Sequence, residues 1–292
     1  MSRNNQRQLY MSKQSIWKLL FAIMYNTNTM VVNPTIYLKF LIPFLILGDI
    51  FTWKVALMYI LSLFIYNIAY IINDYIDYTS DIMKKRQKRS FVYLYEKNFI
   101  TPLVCTFIII SLGIIMVGYQ VLLPIIVMII ITTVLAFLHS KFYNLKPVTI
   151  LLLRFLRISL PPLLLLPIEP NFRNLLLFSL AVFPIYNIKS YVGYMNTKGF
   201  NDSKPGIVMS IVTSGISIYL CQNNIKELAL YILLFSLIST VVKVTVNKAP
   251  EFIVRPLKKI LEGLGYKEVE EKAKELITFF LYLLLLGIVI WF

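Results

Sequence analysis

The sequence predicts an all-α, polytopic membrane protein of about nine transmembrane helices. Three observations predict it. The 292 residues are 58% hydrophobic with a mean hydropathy of +0.74, too apolar for a soluble domain of this length. The apolar residues fall in continuous runs near the roughly 20 residues that a helix needs to cross the hydrocarbon core. The basic residues collect in alternate connections between those runs, as the positive-inside rule requires.

In chain order, residues 1–30 lack a clean apolar core and a small-residue cleavage site, and "SIWKLLFAIMY" reads as an interfacial helix. Spans are predicted near 33–50, 53–72, 99–118, 121–138, 147–166, 174–195, 206–221, 227–246 and 275–292. Barrel strands are excluded, because they show short alternating patterns and these runs are continuous and too long. The outer connections are short, as in "IEPNFR" and "CQNNIKE". Segment 247–274 is charged and carries two helical patterns broken by Gly263 and Gly265, which predicts a helical hairpin on the membrane surface before the last span. No linker divides the chain, so 1–292 reads as one domain. Cys105 and Cys221 fall in or beside spans with no metal-site spacing, and read as reduced packing residues.

The formal charge is +15. With a cytoplasmic N-terminus and nine spans, segments 1–30, 73–98, 139–146, 189–205 and 243–274 all lie inside and hold most of the lysines and arginines. Lys54, Arg173 and Lys226 alone fall in the opposite loops. The charge therefore sets a multi-pass topology in a cell membrane and meets anionic headgroups or phosphates. It needs no nucleic acid to explain it.

The densest polar feature is "IINDYIDYTSDIMKKRQKR", residues 71–89, which holds three of the five aspartates. On a helix Asn73, Asp74, Asp77 and Asp81 fall within about 100° of one another, and Tyr66 and Tyr70 continue that face into the membrane. Carboxylates at a helix C-terminus meet the negative end of the helix dipole and repel one another, so the cluster calls for a cation. Magnesium suits it, because it takes oxygen ligands and shares them with substrate phosphates. The alternative is a solvated loop whose acids pair with Lys84, Lys85, Arg86, Lys88 and Arg89.

"NDYIDYTSD" resembles the first Asp-rich motif of the UbiA superfamily of membrane prenyltransferases, Asn-Asp-x-x-Asp-x-x-x-Asp, at Asn73, Asp74, Asp77 and Asp81. The resemblance implies nine helices around a central cavity open to the cytoplasm, with these four residues holding Mg2+ on the diphosphate of a donor. It implies metal-assisted loss of pyrophosphate, with Asp77, Lys189 and Arg157 as catalytic positions. A polyprenyl group would then pass to a small-molecule acceptor. Tyr70, Lys88, Arg89, Lys146, Arg154, Arg157, Asn187, Lys189 and Tyr191 are the implied substrate-binding positions. Arg154 and Arg157 lie one turn apart within the fifth span, where a charge should face a cavity or an anion, the alternative being backbone carbonyls or aspartates of a neighbouring helix. His139, the only histidine, reads as structural.

Where the superfamily carries a second Asp-rich motif, this chain reads "YNIKSYVGYMNTKGFNDSKPG", with the single acid Asp202. Lys189 can supply there the positive charge that a second metal would bring, or can snorkel to the interface from near a helix end. "KSY" at 189–191 is similar to the Lys-Arg-Tyr of the decaprenyl-phosphate phosphoribosyltransferase branch, although "IMKKRQKRSF" lacks that branch's His-Pro and Arg-Pro. Prenyl transfer from a polyprenyl diphosphate is thus the leading expectation, and phosphoribosyl transfer to a polyprenyl phosphate the alternative. A cation-binding transporter or an inactive scaffold is the reading from another class.

Overall fold

The computed structural model describes residues 32–48, 51–83, 100–197, 199–200, 203–263 and 269–291, with the side chains of 80–82 and 263 outside the description. The predicted interfacial helix at 1–30 and the basic residues Lys88 and Arg89 lie outside the described residues. Among those described, the fold is helical with no strand. The helices are α1 (Asn33–Ile46), α2 (Trp53–Met83), α3 (Ile100–Val117), α4 (Leu122–Lys141), α5 (Lys146–Leu165), α6 (Phe172–Ala181), α7 (Phe183–Thr197), α8 (Lys204–Leu220), α9 (Ile225–Asn247), α10 (Glu251–Gly263) and α11 (Val269–Trp291).

Six of these helices are long and apolar enough to cross a membrane. The bent pair α6–α7 can make a seventh, while α1 and α8 are apolar but shorter. The chain therefore has the build of a multi-pass membrane protein. The exposed surface supports this, since α3 and α4 present Ile115, Met116, Leu123 and Ile130 outward. Large exposed apolar side chains in such numbers suit a hydrocarbon surround and not water.

Local chemistry accounts for the breaks. Pro34, Pro147 and Pro205 open α1, α5 and α8 from within the first turn, where a missing N–H costs nothing. Gly118, at φ 117°, turns the chain between α3 and a short 3-10 turn at Tyr119–Val121. The sequence pattern predicts one span over 174–195. The structure breaks it at Val182 and bends the halves by 48°. Pro184 is the cause: it cannot donate to the carbonyl one turn back, and its ring crowds that carbonyl.

Over 247–274 the two helical patterns fall in different helices. α10 is a separate helix, but α11 starts at Val269 and runs unbroken to Trp291. Glu270 and Glu271 in its first turn complement the helix dipole, and Lys274 closes on Glu270 at 2.9 Å. These contacts carry the helix past the end of its apolar stretch.

Packing puts α1 at the centre. Ile36, Tyr37, Leu38, Phe40, Leu41, Ile42, Phe44 and Leu45 are all buried, so α1 is covered nearly all round. It packs on α9 and α11 on one side and on α5, α6 and α2 on the other. α2, at 31 residues, is roughly 46 Å long, enough to cross the hydrocarbon core and continue beyond it. It lies against α3, α4 and α5, and α7 packs on α8 and α5. The acidic face of α2, the arginines of α5 and the polar stripe of α7 are thereby brought to one region.

Gly206 marks a close approach of α8 to α7. A Cβ there would run into the Tyr191 ring, which is 2% exposed and has nowhere to move. Gly206→Val should therefore destabilise the protein by about 1–3 kcal/mol. Thermal unfolding in detergent would show this as a lowered midpoint, and an unchanged midpoint would refute the packing.

Candidate functional site

Asn73, Asp74 and Asp77 sit on one helix, as the spacing predicts, because α2 continues through the motif without a break. Asp74 is buried at 4% exposure and Asp77 is half-buried. The Ser140 hydroxyl of α4 donates to Asn73 Oδ1 at 3.1 Å and fixes the amide. One and two turns deeper, Tyr70 and Tyr66 meet edge to face at 5.6 Å. Tyr66 donates its hydroxyl to the Leu153 carbonyl of α5 at 3.1 Å, which ties α2 to α5.

From α5, Arg154 reaches α7. Its Nη1 donates to Asn187 Oδ1 at 3.2 Å and to Ser190 Oγ at 2.7 Å, and Nη2 donates to the Ser190 carbonyl at 3.1 Å. Buried Asn187 in turn donates to Ser210 Oγ of α8 at 3.2 Å. The chain of bonds makes Asn187 a brace for Arg154. The guanidinium lies 5.9 Å from the Tyr194 ring centroid, and the Asp77 carboxylate acts electrostatically on the same tyrosine. Tyr194 thus lies against the cation of α5.

Arg157 takes a different set of partners. Its Nη2 donates to the Tyr70 hydroxyl at 2.8 Å, and its guanidinium stands 5.0 Å from the Tyr66 ring centroid. Among the described residues no ion pair reaches either arginine.

His139 is held between helices. The Thr149 hydroxyl donates to the Leu145 carbonyl at 2.9 Å, which leaves its oxygen to accept from Nδ1 at 3.0 Å. Nε2 then accepts from the Tyr194 hydroxyl at 3.4 Å. Both ring nitrogens are engaged in bracing α4, α5 and α7.

The remaining predicted positions do not all converge. Tyr191 is buried at 2% exposure, with its hydroxyl on the Pro147 carbonyl at 3.3 Å, and packs α7 against α5 and α8. Lys189 is exposed. Lys146 stands 5.7 Å from the Tyr143 ring centroid at the start of α5. The structure adds residues that motif reading passes over: Ser140, Ser190 and Tyr194, and on α1 Asn33, Tyr37 and Lys39. Lys39 is half-buried, 4.8 Å from the Phe235 ring and 6.0 Å from that of Tyr186. The spacing of Asn187, Ser190 and Tyr194 was a legible signal, since it places three polar groups on one helical face.

The donor set for a metal is all oxygen, which suits a hard dication. Among the described residues there is no group of three His, Cys, Asp or Glu side chains able to hold one. Asp81, the third acid of the motif, has its side chain outside the description. No family model matches the chain, and no curated protein or solved structure does.

The Arg154–Asn187 link should appear in a double-mutant cycle. Arg154→Met and Asn187→Leu should combine non-additively by about 0.5–3 kcal/mol in unfolding free energy. Strict additivity would mean that the two side chains do not support each other.

Proposed function

We propose that the chain is a magnesium-dependent integral-membrane transferase of the UbiA type that opens a diphosphate donor and moves a polyprenyl group to an acceptor. In this reading α1, α8 and the bent α6–α7 unit complete nine spans around a cavity. The N-terminus and the acidic end of α2 face the cytoplasm, in a cell membrane. The observation that supports it best is the Arg154 guanidinium, held by Asn187 and Ser190 on a helix packed against the one that carries Asp74 and Asp77. An acidic face for a metal and a fixed cation for phosphate oxygens would then stand on neighbouring helices.

Asp74, Asp77 and Asp81, with the Asn73 carbonyl oxygen, would hold magnesium, which when bound supplies positive charge to the departing pyrophosphate. Arg154, already oriented by Asn187 and Ser190, takes phosphate oxygens without moving. The donor's carbon–oxygen bond breaks with both electrons leaving on pyrophosphate. The Tyr66 and Tyr70 rings face the allylic carbon as it becomes cationic. The acceptor nucleophile then supplies the electron pair of the new bond and releases its proton. Lys189 and Lys146 bind at the rim.

Phosphoribosyl transfer to a polyprenyl phosphate is the second reading. It is favoured by the single acid, Asp202, in the region where a second metal would need carboxylates. The same metal-held diphosphate would leave an anomeric carbon in place of an allylic one.

Purified protein with magnesium should release pyrophosphate from one of the two donors, and Asp77→Asn should lower that rate at least about a hundredfold. A chain-length-resolved lipid extract identifies the lipid consumed. A polyprenyl diphosphate supports the first reading and a polyprenyl phosphate the second. Undiminished turnover in Asp77→Asn would remove the metal role.

A further inference from the structure

α10 divides sharply into a charged side and an apolar side. At about 100° per residue its side chains fall into three stripes. Val254, Leu257 and Leu261 make the first. Leu261 is buried, and the other two are half-buried against the cluster of α1, α9 and α11 that holds Leu38, Val246 and Ile277. Glu251, Arg255, Lys259 and Glu262 make the second, and all four are exposed. Between these lies a third stripe of Phe252, Ile253 and Ile260, apolar yet 75%, 42% and 59% exposed. Lys258 closes the circle on the far side, where it pairs with Glu270 of α11 at 3.5 Å.

An exposed apolar stripe of this kind calls for a covering, and its position says which. α9 ends at Asn247 and α10 begins at Glu251, while Lys258 and the inner stripe hold α10 to the start of α11. The helix therefore stays at the ends of two apolar helices of spanning length. The last turns of α9 still expose Val241 and Val244, so a hydrocarbon surround reaches close to α10. The charged stripe is ordered as well. By helical position Arg255 and Lys259 border Phe252, and the two glutamates lie farther round. Basic groups beside an apolar strip match a lipid surface, with phosphates above and acyl chains below. A second copy of the chain fits less well. Three side chains fall far short of the roughly 800 Å2 per partner that a stable interface covers, and an antiparallel pairing of two such strips would set their basic rims side by side.

We propose that α10 is a docking helix for acidic phospholipid. Phe252, Ile253 and Ile260 sit among the upper acyl carbons of the leaflet at this end of α9 and α11, and Arg255 and Lys259 bind the lipid phosphates. The surface is separate from the polar groups of α2, α5 and α7. It rests on the multi-pass build alone and needs neither magnesium nor a diphosphate donor, so it stands or falls independently of the transferase reading.

The test uses the full chain in vesicles of phosphatidylcholine, with and without phosphatidylglycerol. Phe252→Cys, Ile260→Cys and Glu262→Cys, each with Cys105 and Cys221 replaced by serine, are labelled with an environment-sensitive fluorophore before reconstitution. Labels at 252 and 260 should be quenched by nitroxide-bearing acyl chains, and should be at least about threefold less open to aqueous acrylamide than the label at 262. Phosphatidylglycerol should deepen that shielding, and Arg255→Gln combined with Lys259→Gln should remove the dependence. Equal quenching by acrylamide at all three positions overturns the proposal, as does shielding that the acidic lipid leaves unchanged. Energy transfer between labels on different chains, in place of nitroxide quenching, would show that a second copy covers the stripe and overturns it too. The unaltered chain gives a reading that does not depend on the substituted ones folding. A phosphatidylglycerol with a photoactivatable group in its upper acyl chain should cross-link within 252–260, and cross-links found only elsewhere contradict the proposal.

Discussion

Arg154 and Arg157 are carried one turn apart on α5, a helix apolar enough to cross a membrane, and most of what surrounds α5 follows from the cost of putting them there. A guanidinium moved out of water loses several kcal/mol of solvation unless hydrogen bonds and rings replace it. α7 meets the first with Asn187, Ser190 and Tyr194. α2 meets the second with Tyr66 and Tyr70. Both solutions are neutral. The positive charge is solvated without being cancelled and stays available to an anion. A carboxylate partner would have been tighter packing and poorer chemistry.

The helical scaffold makes this arrangement rigid. α2 is pinned to α5 through Tyr66 and to α4 through Asn73 and Ser140, while His139 links α4 with α5 and α7. These are hydrogen bonds between spans with long apolar flanks. Water does not compete for them well, and none needs a loop to hold its geometry. The Pro184 bend contributes too, because it turns α7 away from the line of α6. A straight helix would carry its polar stripe elsewhere.

How much of this could be read beforehand depended on whether the signal was local. The helices were legible because each is a long apolar run, and the shared face of Asn73, Asp74 and Asp77 was legible because helical spacing fixes it. The pairing of Arg154 with Asn187 was not, since the two residues are 33 positions apart and only packing joins them. The packing of Tyr191 against Gly206 was not legible either, since it joins two helices. The bend at Val182 was the reverse case, a local cause present in Pro184 but overridden in the reading by the continuity of the apolar run.

The central claim is that the acidic face of α2 and the polar face of α7 confront each other inside the protein. Paired cysteines at Asp77 and Tyr194, with Cys105 and Cys221 replaced by serine, test this in native membranes. A short bifunctional thiol reagent should cross-link α2 to α7 in high yield. If both cysteines instead react freely with a bulky water-soluble maleimide and never cross-link, the two faces do not enclose a common site and the account is wrong.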